Sequence, residues 1–379
     1  MEKKKILYIC SEAAPGMIPY ACGIILSASA SHELDIYAIT VDDKYLSYHP
    51  YLNNFPPGKI SFLSVPDNTL KKIFNKIYAY NILREARKMI KDNNIDAVHL
   101  LTGDYTCSLI IPKLKKLCKV FFTVHDLIPH EYATNSAKAW LFKHYLLQGI
   151  KRNIKYSDNL ITNSKIQYNQ MKELYPQKNI FFHTFPSLIS DSVLNGKDIC
   201  PEIRDIDNYI LFFGNIDKYK GIEYLYDAFN KNSNLNSYNL VIAGNGNIYF
   251  QHSDDHRIIF INRYIKDEEV NMLFKRAACV VYPYISATQS GVLSLAYKLQ
   301  TPALISDVPF FIESSGDECC LYFKRTDADD LSDKLETLLL KTDLVKMKKA
   351  QEKYYESRYS QKAGISQIEA IYTSVQQNV

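Results

Sequence analysis

Long apolar runs are missing from this chain. None of its 379 residues lies in a window approaching the roughly 20 consecutive apolar residues of a membrane-spanning helix. The first run, Ile6 to Cys10, is too brief for a signal-peptide core and precedes no small-residue cleavage site. The expectation is a cytoplasmic protein, soluble or peripheral to the inner face of the plasma membrane. Metal-ligand spacing is missing too. The eight cysteines (Cys10, Cys22, Cys107, Cys118, Cys200, Cys279, Cys319 and Cys320) are read as free thiols of a reducing compartment, and no metal is expected. Neither domain's first strand leads into a full Gly-x-Gly-x-x-Gly, which argues against a dinucleotide dehydrogenase. There are no repeats or low-complexity tracts. Charge is absent from one conspicuous place: the stretch Tyr282 to Pro302, YPYISATQSGVLSLAYKLQTP, has an elbow of Ser286, Thr288, Gln289, Ser290 and Gly291 before a helix. Hydroxyls, an amide and a glycine there can hold a ligand, but none can act unaided as acid, base or nucleophile.

What is present points to two α/β domains. A hydrophobic content of 47% over this length exceeds one typical core. Runs rich in β-branched and aromatic residues alternate with helical patterns: ILYIC, LDIYAIT, ISFLSV, DAVHLL, KVFFTVH, NLITNS and NIFFHTF, then, after Asp207, YILFFG, NLVIAG, RIIFIN, CVVYP, PALIS and CLYF. Strands apolar on both faces indicate parallel sheets covered on each side. The predicted fold is therefore two doubly wound, Rossmann-like domains, 1–187 and 208–360, joined by a polar linker, 188–207. Residues 1–190 carry 24 Lys and Arg against 15 Asp and Glu, the remainder 21 against 26. The basic front half suits an anionic surface or acceptor, or is a solvated face. Two of its segments, Asn68 to Lys91 and Lys138 to Lys155, mix Lys and Arg with aromatic residues and leucine. They read either as core-facing helices or as helices in contact with anionic lipid. Nucleic acid is not an expected partner, because only the charge asymmetry favours it.

In open parallel sheets ligands sit beyond the carboxyl ends of the strands, so those positions carry the candidate chemistry. After YILFF come Gly214, Asn215, Lys218, Lys220 and Gly221, then an amphipathic helix. A glycine lets backbone approach a phosphate, a helix start offers N–H groups, and a lysine adds a point charge. The run Gly244-Asn245-Gly246 reads on its own as a tight turn. Arg263 and Tyr264 follow the next strand and are placed to border a base. Asp267, Glu268 and Glu269 open the following helix, where acids cap rather than catalyse. His125, with Asp126 beside it, ends a strand; His99 and His183 end two others.

Taken in order, strand-Gly-x5-Lys-Gly-helix, strand-Gly-Asn-Gly, DEEVNMLFKRAACVVYP, the polar elbow and TPALISDVPFFIE resemble the C-terminal half of the family 4 (group 1) glycosyltransferases of the GT-B fold. Upstream, FFTVHDLIPHEY and YSDNLITNSKIQYNQMKE are similar to segments of the family's first domain, and Gly23 is similar to the glycine opening its first helix. The resemblance implies two domains facing across a cleft, with a final helix (361–379 here) crossing back to the first. It implies a nucleotide-diphosphate sugar as donor, no prosthetic group, and a glycan or lipid-linked glycan as acceptor on the side of Gly23. It assigns the donor diphosphate and sugar to Gly214, Asn215, Lys218, Lys220, Gly221, Thr288, Gln289, Ser290 and Gly291. The nucleotide goes to Gly244, Asn245, Arg263, Tyr264 and Ser294, and catalytic contacts to His125 and Asp126. The activity implied is retaining, metal-independent transfer of a hexose in surface polysaccharide assembly. This chain departs from the pattern at three positions: Asn215 replaces an arginine, and Ala287 and Leu295 replace two glutamates. The alternatives are a degenerate binder acting as scaffold or sensor, and an epimerase or phosphorylase of the same plan.

Overall fold

The computed structural model describes residues 2–13, 17–42, 47–64, 75–103, 105–127, 137–187, 189–287 and 290–374. These form two compact units: the first holds residues up to 127, then 137–186 and 360–374, and the second is Ser187–Tyr359.

In the first unit the strands are β1 Lys4–Ile9, β2 Leu34–Asp42, β3 Ile60–Ser64, β4 Ala97–Leu100, β5 Lys119–Thr123, β6 Asn159–Thr162 and β7 Asn179–Phe182. They pair in the order β3-β2-β1-β4-β5-β6-β7, all parallel. The second unit has β8 Tyr209–Phe213, β9 Leu240–Ala243, β10 Ile258–Ile261, β11 Ala277–Tyr282, β12 Ala303–Ser306 and β13 Leu321–Phe323, parallel in the order β10-β9-β8-β11-β12-β13. Each apolar run singled out in the sequence is thus a strand. The alternation of side chains explains why both faces are covered. In β1, Leu7 and Ile9 enter one core while Ile6 and Tyr8 enter the other. The strand order reverses between β1 and β4 and between β8 and β11, which makes each pair a topological switch point.

The helices that matter below are α1 Met17–Ser29, α2 Asn75–Asn93, α3 Ala137–Tyr156, α4 Lys165–Leu174, α5 Asp191–Asn195, α6 Ile222–Lys231, α7 Asp267–Lys275, α8 Val292–Lys298 and α9 Gln361–Ser374. Helix α9 returns to the first unit and packs on α1. There the Tyr372 hydroxyl lies 2.6 Å from His99 Nδ1 and donates to Tyr8, and Gln367 accepts from the Thr184 N–H. Helix α2 turns Ile82, Leu83, Ala86 and Met89 into the core and leaves Arg84, Arg87, Lys88 and Lys91 exposed. Its apolar stripe serves the fold, so what it offers outward is charge. Among the described residues no helix is long and apolar enough to cross a membrane.

Two sequence expectations change. Helix α1 begins at Met17, so Gly23 lies in its middle rather than at its start, because the buried positions Ile18, Ala21 and Cys22 extend the helical period upstream. The polar stretch read as a linker is ordered onto the second unit from residue 189 onward. Helix α5 packs on α7, Cys200 and Ile203 are buried, and a Cβ on Gly196 would stand 2.3 Å from the Glu268 carbonyl oxygen.

Candidate functional site

The carboxyl ends of β8 and β11 meet at the switch point of the second sheet, and they bring together residues that lie some seventy positions apart in the chain. Beyond β8 the backbone continues to pair: the Gly214 N–H donates to Ala243 (3.0 Å) and the Ile216 N–H to Asn245 (2.9 Å). A Cβ on Gly244 would lie 1.9 Å from the Gly214 carbonyl oxygen, and one on Gly246 would lie 2.2 Å from that of Ile216. Gly-Asn-Gly bends the chain here, and it also brings backbone against backbone at φ of +151° and +154°, which glycine alone accommodates readily. Asn215 and Asn245 are left exposed at the sheet's edge.

The segment Lys218–Lys220 forms one 3-10 turn, and Gly221 (φ +63°) ends it in the left-handed region. A Cβ there would sit 2.1 Å from the Pro283 carbonyl oxygen, and the Ile285 N–H donates to Tyr219 at 2.9 Å. The two loops thus lock together around Lys220. This lysine is buried, with Nζ 3.7 Å from the Tyr284 ring centroid and 4.7 Å from that of Tyr219. No carboxylate forms a salt bridge with it among the described residues. Burial pulls its pKa down to about 7, against a weaker upward pull from Asp217. Lys218 is exposed. The start of α6 is partly occupied already: the Gly221 N–H donates to Lys218, and the Ile222 N–H donates to the Tyr249 hydroxyl (3.0 Å), which in turn donates to Glu223.

On the β11 side, Ser290 and Gly291 are buried before α8, while Thr288 and Gln289 lie outside the described residues. Ser294 turns its hydroxyl back to the Gly291 carbonyl at 2.7 Å. Leu295 is 4% exposed and belongs to the core, and half-buried Ala287 packs against the same core. The second unit therefore offers at its switch point one buried cation seated on two phenol rings, close backbone approaches and a serine.

Arg263 is committed elsewhere. Its guanidinium forms a bidentate pair with Glu269 (2.7 and 2.8 Å), a second with Glu202 (3.0 and 3.1 Å), and one bond to the Tyr264 carbonyl, which accounts for every N–H it has. Here it staples the segment before β8 to the start of α7, while Tyr264 beside it is 57% exposed. Glu269 caps α7 by accepting from the Lys266 N–H, whereas Asp267 accepts from the hydroxyl of Ser190 at the start of α5.

In the first unit, half-buried His125 follows β5 and places Nε2 2.7 Å from the Leu101 carbonyl, so that Nε2 carries a proton. The Tyr20 ring meets it edge-on at 4.7 Å. Asp126, half-buried, is the next residue of the same turn. His99 and His183 are buried and hydrogen-bonded inside the unit. Burial holds His99 well below its ordinary pKa and lowers His183 to about 4, so both are neutral at pH 7. Sequence reading missed three supporting residues: Tyr284, which seats Lys220; Tyr249, which caps α6; and Gln167, considered below. Tyr284 stands within the elbow stretch itself, but its role appears only once the 218–221 loop is laid against it.

Comparison with known proteins fits this geometry. Residues 207–341 match the family model Glycosyl transferases group 1. A curated glycosyltransferase of Methanocaldococcus jannaschii, itself uncharacterized, is 30% identical over 118 residues, covering 29% of this chain and 30% of that protein. Among solved structures, Anabaena HepE in complex with UDP-glucose superposes with a TM-score of 0.68 at 13% identity, covering 98% of this chain and 99% of that one. Sucrose-phosphate synthase of Thermosynechococcus elongatus gives 0.67 at 15% identity over 98% and 99% of the two chains. The fold is that of the GT-B glycosyltransferases.

Proposed function

We propose that the protein transfers a hexose from a nucleotide-diphosphate sugar to a glycan or lipid-linked glycan, with retention of anomeric configuration; the match of residues 207–341 to the group 1 glycosyltransferase model and the GT-B fold support this reading. Lys220 carries this reading. A buried amine on two phenol rings, with no carboxylate bridged to it among the described residues and a pKa pulled down to about 7, carries its charge most favourably when an anion binds beside it, and a diphosphate is the anion that suits a switch-point site lined by close backbone. UDP is the first nucleotide to test, since HepE is seen with UDP-glucose.

The chemistry needs no protein nucleophile in this reading. The acceptor hydroxyl forms the new bond to the anomeric carbon as the bond to the diphosphate oxygen breaks on the same face, and the hydroxyl proton passes to the departing phosphate. Lys220 and Ser290 stabilise the charge that develops there, and His125 serves the sugar or leaving phosphate. The exposed arginines and lysines of α2 are assigned to an anionic lipid surface, as befits an enzyme of surface polysaccharide assembly working at the inner face of a membrane.

A thermal-shift screen of UDP, GDP, ADP and their sugars tests the proposal. A nucleotide at about a hundred times its Kd adds about 2.7 kcal/mol to the folded state. Lys220→Ala is expected to abolish the shift, while His125→Ala keeps it and lowers turnover. Absence of any shift in the unaltered protein would sink the reading.

A further inference from the structure

Gln167 departs from what its sequence position predicts. Ser164 and Gln167 have the S-x-x-Q spacing of a capping box, in which the glutamine would reach back to the N–H of the capping residue. The serine half forms: the Ser164 hydroxyl accepts from the Gln167 N–H at 3.2 Å and opens α4. The glutamine half does not. Its carboxamide, in a residue 2% exposed, leaves α4 for the turn after β5. There one Nε2 hydrogen goes to the Thr162 hydroxyl (2.6 Å) and the other to the Val124 carbonyl (2.8 Å), shared with the more distant His125 carbonyl (3.3 Å), and Oε1 accepts from the Leu127 N–H (2.7 Å). Only a carboxamide offers both donors and an acceptor in one planar group. A carboxylate would bring an oxygen against two carbonyls, and an aliphatic chain would leave the Leu127 N–H without this acceptor.

We propose that Gln167 is the positioning residue of His125. It fixes the backbone of residues 124–127 on both sides of the histidine, and thereby the ring's Nε2–H on the Leu101 carbonyl. The inference rests on the reading of His125 as a residue that serves the donor, but its test does not depend on that reading. Long-range proton–nitrogen spectra of the nine histidines report the tautomer of each ring. The expected result is His125 as a single Nε2–H tautomer in the unaltered protein. In Gln167→Leu it becomes a tautomer mixture with a shifted titration, and His99 and His183 stay unchanged. Thr162→Val, which removes one acceptor of the same amide without changing volume, gives a smaller change of the same kind and decides the matter should Gln167→Leu not fold. Turnover falls about tenfold or more with the nucleotide thermal shift intact, because misplacement weakens the reaction and not the Lys220 contact. An unaltered His125 tautomer and titration in the folded variants would overturn the proposal, as would equal movement of all three histidines. A missing nucleotide shift in the unaltered protein would count against the proposed function alone.

Discussion

The two switch points share a topology and differ in what fills them. At the first, between β1 and β4, side chains close the space: the Ser11 N–H donates to the Thr102 hydroxyl at 2.7 Å, and the Ser11 hydroxyl lies 3.2 Å from Cys107 Sγ. At the second, between β8 and β11, backbone approaches backbone around a buried lysine. Four of the five glycines with positive φ among the described residues, Gly214, Gly221, Gly244 and Gly246, stand there, and the fifth, Gly58, belongs to the first unit. A parallel sheet supplies the location, but the chemistry depends on whether small residues or polar side chains follow the strands.

Glycine substitutions test that contrast most severely. Gly244→Ala places a methyl 1.9 Å from a backbone oxygen at a φ that alanine avoids, and is expected to destabilise the second unit by about 3–5 kcal/mol. Gly58→Ala has nothing within 4 Å and costs only the left-handed backbone, about 1 kcal/mol. Hydrogen exchange followed in each unit separately is the suitable measurement, because a two-unit chain need not unfold in one step. Equal effects would break the comparison.

Lys220→Met comes next, and its sign is unusual. The folded pKa of about 7 lies below the ordinary 10.5, so between those values the unfolded chain binds more protons and stability rises with pH. Below pH 7 the lysine is charged in both states and its burial cost is present in full. Replacing it should therefore stabilise the ligand-free second unit below pH 7, by about 2–4 kcal/mol after loss of the ring contacts, and much less at pH 10. The same change should abolish the proposed nucleotide binding, whose affinity in the unaltered protein should fall by up to tenfold per pH unit above 7. A stabilising effect that is the same at pH 6 and pH 10 would show that the ammonium is not desolvated.

The strands were legible because each is a short β-branched run whose period survives in any context. Lys220 and Gly221 stood out in the sequence as a lysine and glycine before a helix, and the structure shows the lysine buried and the glycine left-handed. Their partners did not stand out, because Tyr284, Pro283 and Ile285 follow another strand and meet them only through sheet order. At Gly-Asn-Gly the bend was legible but the close backbone approach was not, since composition cannot distinguish a glycine needed for its own φ from one needed because a neighbouring carbonyl passes close by. Arg263 invited a ligand role, but its two carboxylates, Glu202 and Glu269, lie on opposite sides of it in sequence. Gln167 was hidden because its local spacing had a complete explanation as a cap.

The smallest expected effect concerns the histidines of the first unit, which respond to pH in the opposite range. His183 is buried: Nδ1 donates to the Thr184 carbonyl at 2.9 Å, and the Asn163 amide nitrogen lies 3.0 Å from Nδ1 and 3.3 Å from Nε2. Protonation would place a charge in that desolvated site. With a folded pKa of about 4 against an ordinary 6.5, the unfolded chain binds more protons throughout that window, so stability falls as pH drops from 6.5 towards 4. At pH 5 the loss is about 2 kcal/mol from this residue, and His99, held low by the same burial, adds in the same direction. His252 and His256 of the second unit are exposed. Hydrogen exchange at pH 7 and pH 5, after correction for the intrinsic rate, should show protection lost in the first unit first. His183→Gln should remove part of that slope while leaving the alkaline behaviour of Lys220 untouched. If acid weakened both units alike, the buried neutral histidines would not set the first unit apart from the second, and this part of the contrast would fail.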